Sequence, residues 1–318
     1  MKKSLLTLLL CSFACLSHAA FPERAITLIV PYPAGGATDT LARKIAGPLG
    51  QRLGQTVIVE NRAGAGTAIG AAAIARSPAD GYTLLISSNT TFTVNAALKN
   101  NLPYDPQTDF ESIGLIGTSP LVLLANPKVE ANTVKELQAL AKRTPTGLNF
   151  GSFGVGTSAH LAGEMFKVMT GTNLVHVAYK GSAPAMNDLI GGQIPLSFDT
   201  TVAAMPQMAA GKVKAIAVTS GQRTPQMPQV PTVAEAGYPD YEMVPWIALV
   251  ARRGMAPEVS ARLTKALRDC INDPVVKADL QKTGLDVNYQ PGKVYDQRVA
   301  QELPLLRAYV HRANIPVQ

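Results

Sequence analysis

Five short stretches of the chain place hydroxyls, amides, glycines or a lone acid directly after an apolar run. Open parallel sheets bind ligands at the carboxyl ends of such runs, so these stretches are the candidate site. The first is Pro31-Tyr32-Pro33-Ala34-Gly35-Gly36, followed by Asp39. Two prolines stiffen it, and the glycine pair lets the backbone turn sharply and approach a ligand. A helix that starts here offers unpaired N–H groups to a carboxylate. Asp39 is either a cap or first-turn acid that complements the helix dipole, or a ligand contact.

The second stretch, Ser87-Ser88-Asn89 with Thr90-Thr91, is a turn or helix cap, or else faces ligand with its hydroxyls and amide. The third, residues 151–160, is a glycine-rich strand-to-helix loop. Its backbone N–H groups around Gly156, with the hydroxyls of Thr157 and Ser158, suit an anion. His160 lies on the following helix face, or points back and fixes the loop. In the fourth, Tyr179 offers an aromatic wall with a phenolic hydroxyl, and Lys180 either pairs with an anion or is solvated. In the fifth, Asp199 with Thr200 and Thr201 caps the next helix, or binds a ligand ammonium or hydroxyl.

Enzyme motifs fail one by one. Gly64-Ala65-Gly66-Thr67-Ala68-Ile69-Gly70 imitates a dinucleotide fingerprint with one residue too many, and no acid ends the following strand. Lys282-Thr283-Gly284 matches one β-lactamase element, yet no Ser-x-x-Lys accompanies it. There is no Gly-x-Ser-x-Gly and no Walker loop. His160, His176 and His311 lack metal-site spacing. The expectation is a protein without catalytic residues, metal or cofactor.

Those five loops need elements to hold them. Apolar runs at 26–30, 56–59, 83–86, 121–124, 148–150, 175–177, 196–198, 215–218 and 246–251 predict strands, with another at 286–289. Helical stretches separate them. One carries Leu41, Ile45, Leu49 and Leu53 at a four-residue spacing, and Gly47-Pro48 predicts a kink or break in it. Continuous apolar strands between helices imply parallel sheets covered on both faces. Two such series predict two α/β domains of about five strands each, joined by crossing strands.

Composition sets the frame. With 318 residues the chain favours two domains, and 47% hydrophobic with 16% charged residues excludes a disordered chain or a disulfide miniprotein. The first twenty residues read as a secretory signal: Lys2-Lys3, an apolar stretch from Leu5, then Ser17-His18-Ala19. Cleavage is expected after Ala19 or Ala20; lipidation at Cys15 is disfavoured by the poor Ser12-Phe13-Ala14-Cys15 box. Loss of Lys2 and Lys3 lowers the net charge from +7 to +5 and leaves Cys270 as the sole thiol, read as a small buried apolar residue. No run of five Lys or Arg exists, so nucleic acid is not an expected partner. A mild positive field suits a small anion.

Further segments complete a pattern. They include Val59-Glu60-Asn61-Arg62-Ala63-Gly64-Ala65-Gly66, Ala79-Asp80-Gly81-Tyr82-Thr83-Leu84-Leu85 and Gly156-Thr157-Ser158 with His160-Leu161. Tyr179-Lys180-Gly181, Pro184-Ala185, Asp188-Leu189, Gly191-Gly192-Gln193, Phe198-Asp199, Ala217-Val218-Thr219-Ser220 and Glu235-Ala236-Gly237 follow in order. Together with the Pro31 to Gly36 loop, they make a chain that resembles the periplasmic solute-binding proteins of the tripartite tricarboxylate transporter, the Bug or TctC type, over its whole mature length. The resemblance implies a two-domain α/β Venus flytrap, type II-like, each domain a mostly parallel sheet flanked by helices. It places residues 21–122 and 248–318 in one domain and 123–247 in the other, with one ligand between them. It implies a monomer that carries a small carboxylate to a tripartite-type membrane permease, or alternatively reports it to a sensor. An exported hydrolase and an adhesive module are the disfavoured classes. The loops near Tyr32–Gly36 and Gly156–Ser158 are expected to grip the carboxylate, with Ser87–Asn89, Tyr179 and Asp199 lining the cleft.

Overall fold

A computed structural model describes residues 21–317. The expected signal segment lies outside the described residues. The chain first builds β1 (Ile26–Val30), α1 (Ala37–Leu53), β2 (Val57–Asn61), α2 (Ala68–Ala75) and β3 (Thr83–Ser88). A π-helical turn at Thr90–Val94 runs into α3 (Asn95–Leu98), and β4 (Phe110–Thr118) follows. A second series then runs β5 (Leu121–Ala125), α4 (Val134–Lys142), β6 (Leu148–Ser152), α5 (Ser158–Thr170), β7 (Leu174–Ala178), α6 (Ser182–Gly191), β8 (Leu196–Thr200), α7 (Thr201–Ala209) and β9 (Lys214–Val218). The chain returns through β10 (Trp246–Arg252), α8 (Pro257–Ile271), α9 (Pro274–Gln281), β11 (Asp286–Gln290) and α10 (Lys293–Arg312).

Two sheets result, in the orders β11-β4-β10-β3-β1-β2 and β7-β6-β8-β5-β9. In the first, β10 runs antiparallel to both β3 and β4, and β11 antiparallel to β4. In the second, β5 runs antiparallel to β8 and β9. The remaining strands of each sheet share one direction, so the sheets are mixed where the apolar runs alone predict parallel ones. Burial on both faces explains why. A strand covered by helices on each side must be apolar throughout whichever way it runs.

The alternation of side chains feeds two layers per sheet. Leu28 packs with Leu41, Ile45, Leu267 and Cys270 on the α1–α8 side. Ile29 packs with Phe92, Phe110, Trp246 and Tyr295 on the other. In the second sheet Leu123, Phe150 and Phe198 face α5, while Val122, Leu124 and Val218 join Leu189 and Ala204 of α6 and α7. Burying each such side chain contributes about 1.5–3 kcal/mol.

One expectation is corrected, one strand is additional, and the passages between the sheets are now located. Gly47-Pro48 does not break its helix: α1 runs unbroken from Ala37 to Leu53. Leu41, Ile45, Leu49 and Leu53 are all buried while Lys44 and Pro48 are only partly so, and this apolar face anchors the helix where Pro48 removes the bond to the Lys44 carbonyl. The strand β4 was not anticipated; Gly114 and Gly117 interrupt its apolar run, and its pairing with β10 carries register shifts. The chain passes between the sheets at Ser119-Pro120 and within 219–245, so Leu121 and Val122 go with the second sheet and Trp246 and Ile247 with the first. The end of α10 is shared: Leu303 and Val310 join the buried cluster of the second sheet, next to Val94, Ala97 and Leu98.

Candidate functional site

The two sheets face each other across a cavity of about 620 Å³, mouth included. One wall is Tyr32, Pro33, Ala34, Gly36, Ala37 and Thr38, with Ser88 at the end of β3. The other is Phe153, Ser158, Gly181, Ser182, Ala183, Asp199 and Thr200. Ser119, Pro245 and Ile247 close it where the chain passes between the sheets. Among the described lining residues there is no Lys, Arg or His; the acid is Asp199. Favourable partners for an anion are therefore hydroxyls and backbone N–H groups.

The Tyr32–Gly36 loop owes its shape to Asp39. This carboxyl, 3% exposed, accepts from Gly35 N at 2.8 Å, Arg43 Nε at 3.0 Å and Asn61 Nδ2 at 2.9 Å. Asn61 Nδ2 also donates to the Tyr32 carbonyl at 3.1 Å. Burial alone would raise the Asp39 pKa, but the hydrogen bonds from Arg43, Gly35 and Asn61 outweigh it and hold the carboxyl below its usual range. Gly35 sits at φ +83°, a left-handed conformation in which a side chain is strained. Asp39 thus takes the first of its two roles, as an acid in the first turn of α1, and does not line the cavity. The N-cap of α1 is Gly36, and no side chain caps it. Its first N–H groups, at Ala37 and Thr38, are left at the cavity wall. Tyr32 Oη and Ser88 Oγ share a hydrogen bond of 2.8 Å, and burial raises the phenol's pKa.

The glycine-rich loop at 151–160 has a different fate. Ser152 Oγ accepts from Gly154 N at 3.1 Å, and His160 Nδ1 accepts from Gly156 N at 3.3 Å. Thr157 N donates to Gly154 O at 3.3 Å, and Thr157 Oγ1 caps α5 by accepting from His160 N. Ser158 N donates across the cleft to Thr90 Oγ1 at 3.0 Å. In this arrangement protein acceptors hold the donors of Gly156, Thr157 and Ser158. Of this loop, Phe153 and Ser158 line the cavity; Gly154, Val155 and Thr157 line the wider opening beside it, and Gly156 and His160 line neither.

His160 fixes the loop, and its ring packs 4.2 Å from that of His176. Burial lowers both, to about 4 and about 3, so they are neutral near pH 7. His176 Nε2 lies 2.7 Å from Ser152 Oγ, but neither residue lines the cavity. Among the described residues no group of three His, Cys, Asp or Glu could hold a metal ion. Burial pushes the Cys270 thiol up to about 11, the behaviour of a core residue.

On the second wall, α6 opens at Gly181 without a side-chain cap. A Cβ on Gly181, at φ +131°, would lie 2.9 Å from Pro33 Cγ of the opposite wall, so the walls meet here. Ser182 Oγ donates to Asp199 Oδ2 at 2.7 Å, and Thr200 N donates to Asp199 Oδ1 at 2.8 Å. Asp199 does not cap α7; Thr200 does, accepting from Ala203 N. Burial pushes the Asp199 carboxyl up to about 6.

Several expected contacts lie elsewhere. The Tyr179 hydroxyl, which the sequence offers to a ligand, donates to Asp188 Oδ2 at 2.8 Å, and burial with that carboxylate raises it to about 12. Its ring and the exposed Lys180 line the wider opening with Lys99. Gly35 lines an outer groove. Ser87 pairs with Thr91, and Asn89 donates to Glu302, both away from the cavity. Of the sixteen candidates, Tyr32, Ala34, Gly36, Ser88, Ser158, Asp199 and Thr200 line it. Ser182 and Thr38 were missed, although each stands one or two residues past a glycine that opens a helix. Ser119 was not foreseen because it sits on a passage between the sheets, and Ile247 because it lies in β10, an apolar strand like its neighbours.

The family described as tripartite tricarboxylate transporter family receptor, TctC, matches residues 41–314. Protein BugT of Bordetella pertussis is 38% identical over 264 residues, which are 83% of this chain and 81% of BugT. A structure of R. palustris Rpa4515 with adipate superposes with a TM-score of 0.90 at 33% identity, covering 94% of this chain and all of that one. MatC from Rhodopseudomonas palustris with bound malate gives a TM-score of 0.86 at 31% identity, covering 91% of this chain and all of that one.

Proposed function

The chain belongs to the tripartite tricarboxylate transporter receptor family, and from that premise we propose that it captures a small carboxylate between its two sheets and hands it to a membrane permease of the tripartite type. It acts as a periplasmic binding protein, exported by its N-terminal signal, and not as an enzyme. One observation carries this reading: α1 and α6, one on each wall, open without side-chain caps at a cavity whose described lining residues include no basic side chain. A helix N-terminus carries roughly half a positive charge and free N–H donors, enough to hold a carboxylate without an ion pair. Because each wall supplies one such end, a single ligand engages both when the walls close. Binding therefore favours the closed arrangement. Adipate and malate, bound by the two related structures, are small carboxylates of the class proposed.

Native mass spectrometry of the mature protein, followed by thermal shifts against carboxylates of two to six carbons, tests the reading. A ligand at 100 times its Kd stabilises by about 2.7 kcal/mol. A shift with at least one carboxylate is expected, with no turnover of that compound. Silence from every carboxylate would contradict the proposal.

A further inference from the structure

We propose that Asp199 selects the ligand: the bound carboxylate also presents a hydrogen-bond donor, a hydroxyl or an ammonium, to the Asp199 carboxyl, so hydroxy- and amino-carboxylates are preferred over unsubstituted mono- and dicarboxylates. This rests on the carboxylate-binding reading of the cavity.

Three buried acids can be compared. Asp39 has Arg43 at 3.0 Å, and Glu164 has Lys167 at 3.5 Å. Asp199 is 0% exposed, lines the cavity, and forms no ion pair among the described residues. The fold does not need it as a helix cap, since Thr200 does that work for α7. Each of its oxygens receives one donor, from Ser182 Oγ and from Thr200 N. The Thr200 side chain adds a third bond, so of the about four hydrogen bonds that an ionised carboxylate accepts, one place is open. Leaving that place unmet out of water is costly.

The identity of the group that fits follows from charge. A methyl end would leave the open position of the buried carboxylate without a donor. A second ligand carboxylate would set like charges together. A hydroxyl satisfies an open lone pair, and an ammonium also supplies the missing counter-charge. Polar sites built this way reject analogues lacking the donor more strongly than apolar sites reject an extra group. Both helix N-termini meanwhile remain available for the ligand's own carboxylate.

Calorimetry on the mature protein tests the inference, using monocarboxylates of two to six carbons that end in hydroxyl, ammonium, methyl or a second carboxylate. At the chain length that binds, hydroxyl or ammonium should bind about tenfold or more tighter than methyl and dicarboxylate ends. The hydroxyl and ammonium arms separate the two donors. In Asp199→Asn the ammonium ligand should lose about tenfold or more, the hydroxyl ligand less, and the dicarboxylate should gain, since the amide donates where the acid could not. If carboxylates bind but methyl or dicarboxylate ends are as tight as donor ends, the role of Asp199 is overturned and the general reading stands. If no member binds, both fall. Should Asp199→Asn fail to fold, the order of ligands on the parent protein still decides.

Discussion

Two glycine-bearing loops leave the ends of buried strands and open helices at the cleft: residues 31–39 before α1 and 151–160 before α5. Read as strings they are equivalent anion nests. In the first, a side chain of the following turn, Asp39, folds back and takes the Gly35 N–H, while the N-terminus of α1 stays uncapped. In the second, Thr157 caps α5, His160 takes the Gly156 N–H, and Thr90 of the facing wall takes the Ser158 N–H. One loop is braced from behind and leaves its donors at the cavity. The other has its donors held by protein and ties the walls together. Glycine content marks where backbone can approach something closely; the acceptors nearby decide whether that is ligand or protein.

The sharpest break of this contrast is Asp39→Ala. It removes the acceptor shared by Gly35, Arg43 and Asn61. Stability should fall by about 1–3 kcal/mol in urea unfolding, and carboxylate binding by about 100-fold, because the α1 N-terminus loses its fixed position. An equal effect from His160→Ala would erase the distinction between the loops.

On the second wall the proposed contact is Asp199, which lines the cavity together with Phe153 and Ser158. A carboxyl that titrates near 6 when folded, against 3.8 ordinarily, holds a proton between those values that the unfolded chain has lost. Its contribution is therefore most favourable below about pH 4 and is lost as pH rises through 6. Without ligand, Asp199→Asn should be more stable than its parent at pH 7.5, by up to about 3 kcal/mol, and equal to it near pH 4. His160 and His176 act oppositely, losing stability as pH falls below 6.5, so variant and parent must be compared at each pH. Equal melting temperatures at pH 7.5 would show that the acid is not held at a cost.

Gly181→Ala sharpens the comparison from the closing side. Its Cβ would press on Pro33 across the cleft. Affinity should drop about tenfold, seen by calorimetry, and the melting temperature should fall as well, since φ +131° strains a side chain in either arrangement while the Pro33 contact adds to it on closure. The smallest effect belongs to the tie itself. Thr90→Val removes the acceptor of Ser158 N and should weaken every ligand alike by about fivefold, without changing their order. A change of order would make the 151–160 loop a recognition element after all.

Local physics was legible in the sequence. The apolar run Ile26–Val30, the buried face of Leu41, Ile45, Leu49 and Leu53, and the strand at 246–251 all follow from spacing. Strand direction was not, because β5 and β10 are as apolar as their parallel neighbours. Phe110–Thr118 escaped notice since two glycines dilute it and its partners, β10 and β11, come more than 120 residues later. The site was half legible for the same reason. The loop residues declare themselves, but the partners that free Asp199 or occupy Tyr179 are set by folding, with Asp188, Ser182 and Thr200 each deciding one.

The central claim is that α1 and α6, rather than the 151–160 loop, hold the anion. Amide chemical shifts followed by NMR while a binding carboxylate is titrated test it most directly. The account predicts the largest displacements at Ala37, Thr38, Ser182 and Ala183, with Gly154, Gly156 and Thr157 moving little. The largest displacements at Gly154 to Thr157, with Ala37 and Thr38 still, would contradict it.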